Sequence, residues 1–250
     1  MSREFFSGYG GAQLALHRLG DGRPVILLHG LFSSADMNWI KFGHAQKLAD
    51  AGFEALMPDL RAHGDSAKPH DAASYPSDVL ARDVQALVAH LGLTGYDLVG
   101  FSLGARTSVR AILAGLQPNR LVLGGMGLQG LVESNRRSAF FLDVIARFGT
   151  IRPGDPAYMA QQFMKSMAID REAVRLLLGT MADTAPADLA RITMPTLVLC
   201  GAQDDDNGDP DALAAALPDA IRVTIPGTHM SSVTQPEMGS ELVSFLTGTD

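Results

Sequence analysis

Cysteine is nearly absent. The 250 residues hold one, Cys200, so no internal disulfide can form and nothing points to an oxidising compartment. Basic clusters are missing as well. Twenty Lys and Arg stand against 27 Asp and Glu, a net charge of −7. No basic run or stripe occurs, which argues against nucleic acid or an anionic membrane as partner, since both demand clustered cations. No uncharged run approaches the roughly 20 apolar residues that cross a bilayer. The leading MSREFFSGYGGAQ lacks the apolar core of a signal peptide, and the expectation is a cytoplasmic protein. No repeat or metal-ligand spacing is visible, so neither metal nor organic cofactor is expected.

Apolar residues, by contrast, are plentiful. They make up 46% of the chain against 19% charged, which excludes disorder and supplies a sizeable core. Six short runs rich in Val, Leu and Ile, at 25–28, 55–57, 98–101, 121–123, 196–200 and 223–225, end near Gly, Pro or Asp. Near-continuous apolar runs point to a parallel sheet covered on both faces. Between them lie helical patterns. In 76–90 the residues Leu80, Val84, Leu87 and Val88 share one stripe that Leu91 continues, and Gly92 follows as a stop; 38–51, 103–116, 211–217 and 236–246 read similarly. This alternation predicts a doubly wound, mostly parallel α/β sheet with right-handed crossovers.

One segment breaks the rhythm. From 128 to 190 there is no strand pattern, only helical pieces at 133–148, 156–167 and 171–182. Long connections in compact domains are more often lids than accidents. The expectation is therefore a core built from 1–127 and 191–250, with 128–190 inserted as a helical cap.

The chemistry starts at Gly100-Phe101-Ser102-Leu103-Gly104, which follows an expected strand and precedes a helical run. In that context the two glycines permit a sharp turn that pushes the serine out at the sheet's carboxyl edge. The bland alternative is a serine that merely caps the helix. A serine hydroxyl needs a base to take its proton. Of the seven histidines only His229 lies after Ser102, as the order serine, acid, histidine requires for this layout. The acid should follow the penultimate strand, where Gly201-Ala202-Gln203-Asp204-Asp205-Asp206 stands. Asp204 is the first choice, three residues past the glycine, and Asp205 is its rival. Two amides should bind an oxyanion: that of Leu103, after the nucleophile, and that of Leu31, in the His29-Gly30-Leu31-Phe32 turn.

With these pieces placed, the sequence resembles the α/β-hydrolase superfamily, of its serine esterase and lipase-like kind. The resemblance covers nearly the whole chain. It rests on Leu28-His29-Gly30-Leu31, on Asp59-Leu60-Arg61-Ala62-His63-Gly64-Asp65-Ser66, on the Ser102 pentapeptide, on Gly201-Ala202-Gln203-Asp204 and on Gly227-Thr228-His229. It implies Ser102, Asp204 and His229 as a catalytic triad, Leu31 and Leu103 as oxyanion donors, and a cap between the sixth and seventh strands. By the same resemblance His63 is structural. Phe101 stands where the family often has His, and Ala62 where it usually has Gly. Serine as nucleophile sets the chain apart from the dehalogenases and epoxide hydrolases of this fold, which use Asp.

The expected cap is rich in large apolar side chains: Phe140, Phe141, Phe148, Tyr158, Met159, Phe163, Met164 and Met167. Together with Phe32, Trp39, Phe101 and Met230 they suggest an adaptable apolar acyl or alkyl pocket. The expected substrate is a small to medium uncharged carboxylic ester. Thioesters, lactones and certain carbon–carbon bonds use the same constellation, and fold and triad do not choose among them. The reading from another class is a ligand-binding receptor that keeps the triad without turnover. Oligomeric state is not legible.

Overall fold

A computed structural model describes residues 1–248. Eight strands, β1 (Ser2–Ser7), β2 (Gln13–Leu19), β3 (Arg23–Leu28), β4 (Phe53–Pro58), β5 (Asp97–Phe101), β6 (Leu121–Gly124), β7 (Thr196–Gly201) and β8 (Ala220–Ile225), form one sheet. Their order is β1-β2-β4-β3-β5-β6-β7-β8. From β4 to β8 every neighbouring pair is parallel, and these six strands are the six apolar runs of the sequence. The hairpin β1–β2 is additional, and it pairs antiparallel within itself and with β4. Only Phe6 of β1 is buried, and Arg18 of β2 bonds Glu4 and Glu54 across the strands. A strand with one wet face and paired charges leaves no continuous apolar run to read.

The parallel strands are apolar throughout because both faces are covered. Ile26 and Leu28 of β3, Leu98 of β5 and Leu121 and Leu123 of β6 point into one cluster, with Val84 and Leu87 of α2 (Val79–Leu91) and Val109 of α3 (Leu103–Leu113). Their alternates Val25, Leu27, Val99 and Val122 point into the other, with Leu48 of α1 (His44–Asp50) and Leu242 of α10 (Pro236–Thr247). Each such side chain contributes about 1.5–3 kcal/mol by leaving water. The helix expected over 38–51 is broken: a π turn at Asp36–Ile40 gives way to α1 after Gly43, whose φ of +79° stops the first turn.

Between β6 and β7 the chain forms α4 (Leu128–Val132), α5 (Ser134–Ala146), α6 (Tyr158–Ser166) and α7 (Arg171–Leu178). No strand occurs in this stretch among the described residues. Its inward residues Leu131, Val144, Met164, Val174 and Leu177 join the cluster that holds α2 and α3 and build no separate core. Two further helices, α8 (Pro210–Ala216) and α9 (His229–Ser232), follow β7 and β8. Among the described residues no helix is long and apolar enough to cross a membrane.

The tightest crossing lies where α3 passes the sheet. A Cβ on Gly104 would sit 2.1 Å from the Leu28 carbonyl oxygen, and one on Gly100 would sit 2.3 Å from the Gly104 carbonyl carbon. Neither backbone can yield. Gly104→Ala should therefore cost about 3 kcal/mol, the upper end for overpacking. In a urea titration the midpoint should fall with an unchanged slope; an unshifted midpoint would show that α3 is free to move.

Candidate active site

The crossing of α3 over β3 and β5 dictates what happens to Ser102. It must turn the chain between the last residue of β5 and the first of α3 with φ +53° and ψ −109°, a conformation that costs a non-glycine residue on the order of 1–3 kcal/mol. Its amide is held by the Gly124 carbonyl at 2.8 Å and its own carbonyl accepts from Arg106 N at 3.0 Å. The side chain makes no capping bond to α3, so the helix-cap alternative fails. Instead Oγ lies 3.1 Å from His229 Nε2.

His229 opens α9, a short helix whose capping box between Thr228 and Ser231 fixes the turn after β8. Its Nδ1 meets Asp204 Oδ2 at 2.9 Å and Oδ1 at 3.1 Å. The Asp204 side chain is almost wholly buried, whereas Asp205 is exposed and Asp206 pairs with Arg137. Of the two rival acids, Asp204 is the one at the ring. The Phe101 ring packs 5.1 Å from the imidazole, tilted by 33°.

The turn after β3 is tied down by side chains. Gly30 N donates to Asn38 Oδ1 at 3.0 Å, Ser33 N to the Gly30 carbonyl at 3.2 Å, and Phe32 N to His63 Nε2 at 3.1 Å. The Leu31 amide is left without an acceptor among the described residues, and it is the one the sequence singles out. Leu103 is the first residue of α3, so its N–H has no partner within the helix. Leu103 follows Ser102 directly, and the turn that carries Leu31 comes close to it: a Cβ on Gly30 would lie 3.6 Å from Ser102 Cβ.

Behind this turn, two histidines act as acceptors. Leu60 N donates to His29 Nε2 at 3.0 Å while His29 Nδ1 faces the Gly30 carbonyl at 2.8 Å. His63 repeats the arrangement, with Nδ1 on the Arg61 carbonyl at 3.0 Å. A ring nitrogen that accepts from an amide carries no proton, so both rings are neutral. Burial depresses both, and pushes His63 down to about 3. Asp59 completes the clamp by accepting from Ala35 N and Asp65 N, each at 2.8 Å. Burial opposes its ionisation, yet the bond from His17 and these amides hold it down at about 2. His63 is thus structural. One trio, His17, Asp59 and Asp65, places a ligand atom from each residue within 4.8 Å of the others. Those atoms already serve the His17–Asp59 pair and the Arg3–Asp65 ion pair.

The residues expected in a pocket separate into three groups. Phe32 and Phe141 meet edge to face at 5.1 Å, next to Leu31 in the turn after β3. Phe101 is buried with Trp39 in the cluster on the α1 and α10 side; it backs the histidine, and Trp39 is core. Phe140 and Met230 are 39% and 52% exposed. Phe140 still touches Phe141 at 5.2 Å, whereas Met230 points to solvent from α9. Met159 is exposed and Met164 is core. Sequence reasoning missed Asn207, whose buried amide reaches Gly125 O at 2.7 Å and Ser102 Oγ at 3.5 Å. An asparagine within an acidic loop offers no signal of that kind.

The neutral histidine has a consequence for acid stability. The His63 value falls from 6.5 to about 3 on folding, so its stabilising contribution is complete above about pH 6.5 and is lost as pH falls toward 3. At pH 5 the loss from His63 alone should be about 2 kcal/mol relative to neutrality. Urea unfolding at pH 7.5 and 5.0 checks this, and equal stability at the two values contradicts it.

Known proteins resemble the chain in sequence and in fold. A family model described as "alpha/beta hydrolase fold" matches residues 23–122. The AB hydrolase superfamily protein YisY of Bacillus subtilis is 27% identical over 76% of this chain and 78% of its own length. A non-heme haloperoxidase of Rhodococcus erythropolis is 28% identical, covering 97% of this chain and 98% of its own. Among solved structures, an esterase from Rhodococcus sp. superposes with a TM-score of 0.76 at 24% identity, covering all of both chains; that likeness is one of fold. With strand order, serine elbow and matched segment in accord, the chain has the α/β-hydrolase fold and resembles the enzymes built on it.

Proposed function

We propose that the chain is a serine hydrolase of small to medium, apolar carboxylic esters. The observation that carries this reading is the unbroken line Asp204–His229–Ser102, with contacts of 2.9 and 3.1 Å, ending on a serine in a strained turn. Asp204 accepts a hydrogen bond from Nδ1–H, which holds that proton on the ring and so leaves Nε2 as the base. Ser102 Oγ attacks the ester carbonyl carbon as His229 takes its proton. The oxygen that becomes negative lies between the amides of Leu31 and Leu103, each worth about 10²–10³ in rate. His229 then protonates the departing alcohol. Water, deprotonated by the same ring, attacks the acyl-enzyme and releases the acid. None of these steps calls on a metal or organic cofactor.

The segment 128–190 is read as the cap that shapes the acyl side. Phe141 reaches from α5 to the Phe32 ring, an apolar wall that suits an uncharged chain. The esterase among the fold relatives fits this reading.

Steady-state hydrolysis of a graded series of p-nitrophenyl esters tests it. Uncharged acyl chains of short to medium length should be preferred, and a preference for charged acyl groups contradicts the apolar wall. Ser102→Ala should abolish turnover. Asp204→Asn should lower kcat by about 10⁴ through loss of the histidine tautomer, while Asp205→Asn should leave kcat near its starting value. Equal losses in the two aspartate variants would remove Asp204 from its role.

A further inference from the structure

Asn207 belongs to none of the motifs, yet it touches the nucleophile. It lies on the loop after β7, is 5% exposed, and is held from two sides. Its carbonyl accepts from Gly130 N at the start of the inserted helices, at 2.8 Å. Its side-chain nitrogen is 2.7 Å from the Gly125 carbonyl oxygen and 3.5 Å from Ser102 Oγ. The first contact fixes the orientation of the amide, because the reverse placement would set Oδ1 against another acceptor. One N–H is therefore spent on Gly125, and the second faces Oγ. The Oγ proton is directed at His229 Nε2, 3.1 Å away, so Asn207 meets a lone pair.

We infer that Asn207 is a catalytic residue that donates a hydrogen bond to Ser102 Oγ and acts chiefly on breakdown of the acyl-enzyme; the inference rests on the serine-hydrolase reading above. In acylation a donor on Oγ works in two opposed senses: it eases loss of the proton and blunts the attacking lone pair. In deacylation both of its effects run the same way. Oγ is then the single-bonded oxygen of an ester, and a donor there withdraws electrons and makes the carbonyl carbon easier to attack. Water adds to that carbon as His229 takes its proton. When the tetrahedral intermediate collapses, the C–Oγ bond breaks, its electron pair passes to Oγ, and His229 returns the proton there. The carboxylic acid leaves and the hydroxyl is restored. Charge gathers on Oγ as the bond breaks, and the N–H at 3.5 Å draws in toward it.

Rapid-quench intact-mass measurement with p-nitrophenyl acetate follows formation and decay of acylated Ser102 separately. Asn207→Leu, similar in shape and without a donor, should slow decay about tenfold, the scale of one hydrogen bond to a partly charged group, with formation close to wild type. In steady state kcat and KM should then fall together while kcat/KM is preserved. Asn207→Asp, which keeps the size but accepts where the amide donates, should show the same slow decay. It serves too if the leucine variant fails to fold, as thermal melts would reveal. Formation and decay slowed equally would mean that Asn207 only holds Gly125, and unchanged decay would mean no role; either overturns the inference. Absence of any acylated wild-type chain would instead defeat the serine-hydrolase reading itself.

Discussion

The elbow at the centre of the site follows from one close approach, that of the α3 backbone to the β3 backbone at Gly104 and Leu28. With no side chain between them, the helix begins hard against the sheet edge, and the single residue that joins β5 to α3 has no relaxed conformation open to it. Ser102 takes up that strain and is thereby thrust out of the sheet. The same approach aims the first amides of α3 at the space beside Oγ, where the helix N-terminus favours negative charge. The exposure of Ser102 and the aim of the first α3 amides are thus two results of one packing constraint.

The remaining parts come from loops at the carboxyl ends of neighbouring parallel strands, held by buried polar groups. The turn carrying Leu31 is pinned by Asn38 and His63, and the next turn by His29 and Asp59. Neutral rings serve because a buried imidazole accepts an amide N–H with no charge to desolvate. The loop of Asp204 is joined in turn to the inserted helices. Leu128 N donates to the Asp209 carbonyl at 3.0 Å, Gly130 N to that of Asn207 at 2.8 Å, and Arg137 pairs with Asp206. The far end of the insertion is fastened by Arg106 on the Ala182 carbonyl, with Ser134 bonded to the same oxygen at 3.1 Å. Arg106 lies one helical turn beyond Ser102, so both ends of the insertion are moored to elements that carry Ser102 and Asp204.

How much of this was legible in the sequence depended on the physics behind each signal. The parallel strands were readable because burial on both faces demands continuous apolar residues, as in Val25 to Leu28. The β1–β2 hairpin was hidden because half of its surface is wet and its charges pair across strands. The elbow was readable because close approach admits only glycine at 100 and 104. Choosing Asp204 over Asp205 needed coordinates, since one step along a loop reverses a side chain. Trp39 was misplaced because aromatic character alone does not say which side of a sheet a residue faces. Asn207 was invisible for a related reason: its role depends on a contact 105 residues away in sequence.

The central claim is that strain and packing make Ser102 an activated nucleophile, which covalent labelling measures directly. The chain should be incubated with a fluorophosphonate at neutral pH and the modified residue mapped by peptide mass spectrometry. The account predicts one stoichiometric adduct, on Ser102, that fails to form in His229→Ala. An unlabelled Ser102 in the folded wild-type chain, or equal labelling without His229, would contradict it.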